Sequence, residues 1–347
     1  MISVTPLTST ALDHRAYYVA VAARSGAIAA VSGEGAGTLI AADGSVLARL
    51  SLPEANAVAI HPDGTHLALA TNKALVLAAS GRGAVVQSHS GKFDSCKYST
   101  GGAWLWAVRR PSGDKAVIEL RSASSLEIIA TAGVEDPFGE SQFILTFHPD
   151  DSSIAIWAAA GQDGQAIFWA SYRNGALVVE QYDGPEASTP PSMSPEGDHF
   201  LIVADFAELR QCTYPNGPHR VVLSWSDDEG EDQDIGDYAA FAGYRHAVLQ
   251  SRNGLLSVVD LSEGGIIDEI AIAGHVPRPL SEIFTHLHEN TSMGTDLAQF
   301  VPLRDLTFLS VHHRVPFDPL DRKDIMVTWR LRPEDLESAV RQDSFTF

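Results

Sequence analysis

The residues AIHPDGTHLALATN at 59–72 put a tight turn, Pro62-Asp63-Gly64, between two short apolar runs, and the same grammar recurs down the 347-residue chain. Ser25-Gly26 separates YYVAVAA from AIAAVS, and Thr100-Gly101-Gly102 separates DSCKYS from AWLWAVRR. Pro149-Asp150-Asp151 lies between FILTFH and IAIWAAA, and Pro195-Glu196-Gly197 between PPSMS and HFLIVAD. Ala242-Gly243 divides DYAAF from HAVLQS, and Leu303-Arg304-Asp305 divides LAQFVP from TFLSVHH. Seven occurrences spaced mostly by about 37 to 50 residues, with one longer gap before the last, are an internal repeat, and a repeat constrains the fold more than any single motif.

A third and usually a fourth strand-like run follow each turn. After HLALAT come ALVLAA, a Gly-rich turn and AVVQSHS; after HAVLQS come LLSVVDL, Gly264-Gly265 and IIDEIAIA. Four short strands per repeat are the grammar of a propeller blade. One four-stranded sheet cannot bury both faces, but sheets packed face to face about an axis can. Runs such as VAVAA, AIAAV and ALVLAA fit that packing, because small residues let sheets approach closely. The expected fold is all-β, a seven-bladed propeller formed by residues 1–347 as a single domain. Trp residues are expected to serve as core aromatics.

AIHPDGTHLALA, LTFHPDDSSIAIWA and MSPEGDHFLIVA resemble the strand-turn-strand of WD40-like and YVTN-type propeller repeats. Third strands ending AIFWAS and IMVTWRL put Trp169 and Trp329 where the WD40 Trp-Asp pair falls, and LSVVDL puts Asp260 near its Asp. No repeat carries the full Trp-Asp dipeptide. The resemblance implies that the N-terminal strand completes the last blade. The last repeat is one strand short, and ISVTPLTS precedes the first complete repeat, so residues 2–9 are expected to pair with the final blade. Closure hides sheet edges that would otherwise pair with other chains.

Composition narrows the partner class. With 44 Asp and Glu against 24 Lys and Arg, the formal charge is −20, a field that repels phosphate backbones and disfavours nucleic acid. No apolar run approaches the roughly 18–20 residues of a membrane helix, and the N-terminus lacks a basic start before an apolar segment, so a cytoplasmic protein is expected. Cys96 and Cys212 belong to no C-x-x-C motif and read as reduced thiols. Few Lys among many Ala and Arg point to a bacterial, high-GC source.

Three segments interrupt the repeat. VEDPFGESQ at 134–142 reads as a blade linker. SDDEGEDQDIGD at 226–237 has seven acidic residues in twelve and reads as a solvated loop. Its Asp232, Asp234 and Asp237 offer hard oxygens for Ca²⁺, but the spacing completes no EF-hand and no metal site is assigned. The insertion at 274–296 is the longest; Ser281 can cap a short helix carrying Ile283, Phe284 and Leu287 at roughly helical spacing. His275, His286 and His288 lie in it, with His312 and His313 in the next blade. At the C-terminus, 333–342 is expected to form a helix with Pro333 in the first turn, Glu334 and Asp335 at its N-terminal end, and Leu336, Ala339 and Val340 on one face.

There is no G-x-S-x-G, P-loop, dinucleotide Gly fingerprint or H-E-x-x-H; GEGAGTL at 33–39 reads as a hairpin turn. No cofactor and no catalytic residue are assigned. The expected function is a non-enzymatic protein–protein interaction scaffold. The partner-binding candidates are Ile283, Phe284 and Leu287 as apolar anchors, with Asp227, Asp228, Glu229, Glu231 and Asp232 steering. The alternative is a propeller enzyme, lactonase-like or another metal-assisted hydrolase, with its site at the central channel.

Overall fold

In the computed structural model, residues 1–111, 115–136, 138–139, 141–160, 164–205, 207–224, 236–251, 255–274, 297–313 and 323–336 are described. Their strands form seven sheets, one per repeat, and the architecture is the seven-bladed β-propeller. The chain divides into two compact units, His14–Glu186 with blades one to four, and Met1–Asp13 plus Ala187–Phe347 with blades five to seven.

In the four-blade unit each sheet runs antiparallel in chain order. Blade one comprises Tyr18–Val21, Ile28–Val31, Ala36–Ile40 and Val46–Ser51; blade two, Ala57–Ile60, His66–Ala70, Ala74–Ala79 and Val85–Ser90. Blade three comprises Phe93–Tyr98, Trp104–Arg109, Lys115–Ser122 and Ile128–Glu135; blade four, Gln142–Phe147, Ser153–Ala159, Gln165–Arg173 and Ala176–Gln181. Central strands are mostly apolar because both faces are covered, and successive side chains point to opposite faces. In His66–Ala70, Leu67 and Leu69 join a core shared with blade one, whereas Ala68 and Ala70 join one shared with blade three. In Trp104–Arg109, Leu105 and Ala107 face blade two, and Trp106 and Val108 face blade four.

In the three-blade unit, blade five comprises Ser192–Met193, His199–Ala204, Glu208–Thr213 and His219–Ser224. Its first strand has only two residues, since Pro190 and Pro191 supply no amide to a ladder. Blade six comprises Gly236–Ala242, His246–Ser251, Leu256–Asp260 and Gly265–Ile272; blade seven, Leu297–Pro302, Thr307–His313 and Asp324–Arg330. Phe308 and Trp329 are stacked with ring centroids 4.8 Å apart, Phe300 lies 5.3 Å from Phe308, and Tyr238 of blade six meets Phe300 edge-on at 6.0 Å.

The start of the chain departs from the expected pairing of residues 2–9 with the final blade. Thr8–Ala11 does complete blade seven, antiparallel to Asp324–Arg330. Ile2–Val4 instead adds a fifth strand to blade six, parallel to Ile270–Ile272. The division falls around Pro6, which lies between the two strands. Residues 333–336 form the described start of the C-terminal helix, with Leu336 packed in the core around Trp329; 337–342 lie outside the described residues.

The hairpin expected at 33–39 is present: Gly35 takes φ +89°, and a Cβ there would sit 2.1 Å from the Leu52 carbonyl, so only glycine fits. Trp106 and Trp329 are fully buried and Trp169 nearly so, as core aromatics. Cys96 and Cys212 are buried and not joined in a disulfide, and burial pushes the Cys96 thiol up to about 12.

Candidate interaction surface

The recurring turns of the four-blade unit do more than reverse the chain. In blade two, the Asp63 carboxylate accepts from the Thr65 amide (2.9 Å) and hydroxyl (2.6 Å), while His61 presents Nδ1 to it at 2.6 Å. Burial works to raise this carboxyl, but those hydrogen bonds outweigh it and hold it at about 2. Blade four repeats the plan: Asp150 accepts from the amides of Ser152 and Ser153 (3.0 Å each), and His148 lies 3.0 Å from it. Asx-type turns of this kind fix the backbone through short side-chain bonds.

Each turn also holds the next. The amides of Arg24 and Ser25 donate to the Pro62 carbonyl at 2.9 and 3.0 Å. The Arg24 guanidinium reaches the Gly101 carbonyl at 2.7 Å, and His61 Nε2 faces the Gly102 carbonyl at 3.0 Å. Asp151, with φ +66°, accepts from the Thr100 amide, the Thr100 hydroxyl (2.7 Å) and the Gly101 amide (2.7 Å). The four turns thus form one connected rim whose polar groups are engaged by neighbouring turns.

Beneath this rim the same unit buries charge. Glu119 and Arg121 are fully enclosed; Arg121 donates to the Glu119 carboxylate through Nε at 2.8 Å and Nη2 at 2.5 Å, and also reaches the Leu126 carbonyl. Arg109 approaches the other Glu119 oxygen at 2.5 Å, and the Arg121 guanidinium lies over the Phe93 ring. The segment 134–142 proves more than a linker. Asp136 accepts from the Ser141 amide and hydroxyl and from the Phe138 amide, and pairs with Arg110, which also binds Asp94. Lys97 donates to the Leu145 carbonyl at 3.1 Å above the Phe147 ring, and burial lowers its pKa to about 8.

In the three-blade unit the residues assigned to the Trp-Asp position have structural partners. Trp329 Nε1 donates to Ser310 Oγ at 3.2 Å, and His312 Nε2 lies 2.7 Å from the same oxygen. Asp260 binds Arg245 at 2.7 Å and caps Ser262. Ile283, Phe284, Leu287, Asp227, Asp228, Glu229, Glu231 and Asp232 all lie outside the described residues, as do His275, His286 and His288. Among the described residues, no group of three or more His, Cys, Asp or Glu is placed to hold a metal ion. Among them, no helix is long and apolar enough to cross a membrane.

No family model and no curated protein matches the sequence. The fold, by contrast, is widely shared, with 1338 matching solved chains. One is the β-propeller domain of Cps50 (Swd1) from Myceliophteria thermophila, at a TM-score of 0.60 and 9% identity over 93% of this chain and 100% of that one. At that identity the likeness is one of architecture, and function has to be argued from the surfaces.

Proposed function

We propose that this chain is a non-enzymatic protein–protein interaction scaffold built on a WD40-like propeller, acting in the cytoplasm as a single domain. The connected turn rim carries the reading. His61, Asp63 and Asp151 each engage two or more partners within the rim, which ties blades one to four together and presents a preformed surface on that unit. Function on propeller bodies concentrates in the loops that break the repeat. The proposed docking residues remain Ile283, Phe284 and Leu287, with the acidic run Asp227, Asp228, Glu229, Glu231 and Asp232 steering a basic partner.

Affinity capture from the native host tests this. The wild type is expected to retain a discrete protein, and Phe284→Ala with Leu287→Ala is expected to lose it while the β circular-dichroism spectrum is unchanged. Unimpaired capture by the folded double variant moves the interface elsewhere. Failure of the wild type to retain any protein removes the scaffold reading.

A further inference from the structure

The chain has five lysines, of which Lys73, Lys92, Lys115 and Lys323 are exposed. Lys97 is half-buried on Phe93–Tyr98, the first strand of blade three. It is paired in register with Trp106, which belongs to the core shared with blade four, and register partners share a face of the sheet. Lys97 therefore points toward blade four, where its Nζ donates to the Leu145 carbonyl at 3.1 Å and lies 5.4 Å from the centre of the Phe147 ring. The strand that supplies both groups, Gln142–Phe147, carries no ionisable side chain. Among the described residues no carboxylate pairs with Lys97, in a chain where acidic residues outnumber Lys and Arg 44 to 24. Two carboxylates of the same blade are held elsewhere, Asp94 by Arg110 and Glu119 by Arg109 and Arg121.

An amine with one neutral acceptor, an aromatic wall and no countercharge is accommodated best without its proton, and burial lowers its pKa to about 8 accordingly. Without the proton the nitrogen has a lone pair, and a desolvated lysine of this kind is a nucleophile toward carbonyl carbon. We propose that Lys97 is a site of imine formation with a small uncharged aldehyde, whose alkyl part packs on the Phe147 ring. The amine nitrogen attacks the aldehyde carbon and a C–N bond forms. The aldehyde oxygen then leaves as water, carrying both amine protons, and a C=N bond remains. The product is neutral, as the surroundings require. Carbon dioxide would instead leave a carbamate anion beside Phe147 with nothing to balance it, and the burial that disfavours the ammonium disfavours that anion too. The site is separate from the 226–237 and 274–296 loops and stands whether or not those loops bind a partner.

The test treats the full-length protein at pH 7 with propanal and sodium cyanoborohydride, which reduces an imine to a stable secondary amine, and maps the modified lysines by peptide mass. At that pH about one Lys97 amine in ten is uncharged, against about one in 3,000 for a lysine at the ordinary 10.5. Lys97 is expected to be alkylated at least tenfold faster than each of the four exposed lysines, and an equal or slower rate overturns the proposal. Phe147→Glu sets a carboxylate beside the amine and is expected to remove the preference while the β circular-dichroism spectrum is unchanged. A folded Phe147→Glu chain that keeps the preference overturns the proposal. Should that variant fail to fold, the ranking of the five lysines in the wild type decides. Glyoxylate, an aldehyde that carries a carboxylate, is expected to show a smaller preference for Lys97 than propanal does. A larger one would assign the amine to an anionic ligand and overturn the uncharged class.

Discussion

The two units build blades from the same repeat but join them by different means. From His14 to Glu186, turns hydrogen-bond to turns, and a buried Glu119–Arg121 pair, joined by the half-buried Arg109, sets the Arg121 guanidinium over the Phe93 ring. In the other unit, blades six and seven meet through Tyr238, Phe300, Phe308 and Trp329. The outer strands differ too. In blades five and six the bulged residue of the apolar pair turns inward: Val222 is buried and Ile267 packs on the core, leaving Val221 and Ile266 outside. In blades one to three both members, Val46-Leu47, Val85-Val86 and Ile128-Ile129, are exposed. A repeat therefore fixes where strands and turns go, while the joining chemistry is free to be polar and directional or apolar and non-directional. Polar joints respond to charge and pH; aromatic joints respond to volume.

That contrast can be broken at its apolar side first. Trp329→Ala empties a fully buried site in the aromatic stack, and urea unfolding should show a loss of about 3–5 kcal/mol. On the polar side, Glu119→Gln leaves Arg121 enclosed without its countercharge, with an expected loss of about 3 kcal/mol. Replacing the pair together, Glu119→Leu with Arg121→Met, should cost less than the single change. If instead the double variant is the weaker, the cluster contributes net stability as a pair.

A smaller effect sharpens the role of the rim. Asp151→Asn keeps a residue that tolerates φ +66° but removes the charge that binds Thr100 and Gly101, so a loss of about 1–2 kcal/mol is expected. An unchanged midpoint would show that the rim is incidental. The smallest effect is a pH dependence. Lys97 has a folded pKa near 8, below the ordinary 10.5, so the folded chain binds fewer protons between those values and stability should rise as pH rises through that window. Lys97→Met should flatten the rise. Asp63 works in the opposite range: held at about 2, it should lose its contribution as pH falls from near 4 toward 2.

Much of the architecture was legible because a turn between two apolar runs is a local signal. HPDG at 61–64 and HPDD at 148–151 fell on turns, and the missing last strand pointed to the N-terminus. The parallel strand Ile2–Val4 was not legible, because three residues carry too little periodicity to choose between adjacent sheets. The enclosure of Glu119 and Arg121 was not legible either, because it depends on a neighbouring blade, which no local pattern reports. The linker role expected for 134–142 missed Asp136, although a carboxylate five residues before a serine, with Gly139 between, was the available sign of a pinned loop. The loop residues proposed for docking rest on sequence alone.

The difference between the two joints is tested most directly by native-state hydrogen exchange with rising urea, on Glu119→Gln and Trp329→Ala side by side. The predicted result is reciprocal. Glu119→Gln lowers the opening free energy of amides in Phe93–Tyr98, Trp104–Arg109 and Lys115–Ser122 and leaves those of Asp324–Arg330 unmoved, and Trp329→Ala does the reverse. An equal fall in both sets of strands, from either variant, would contradict it.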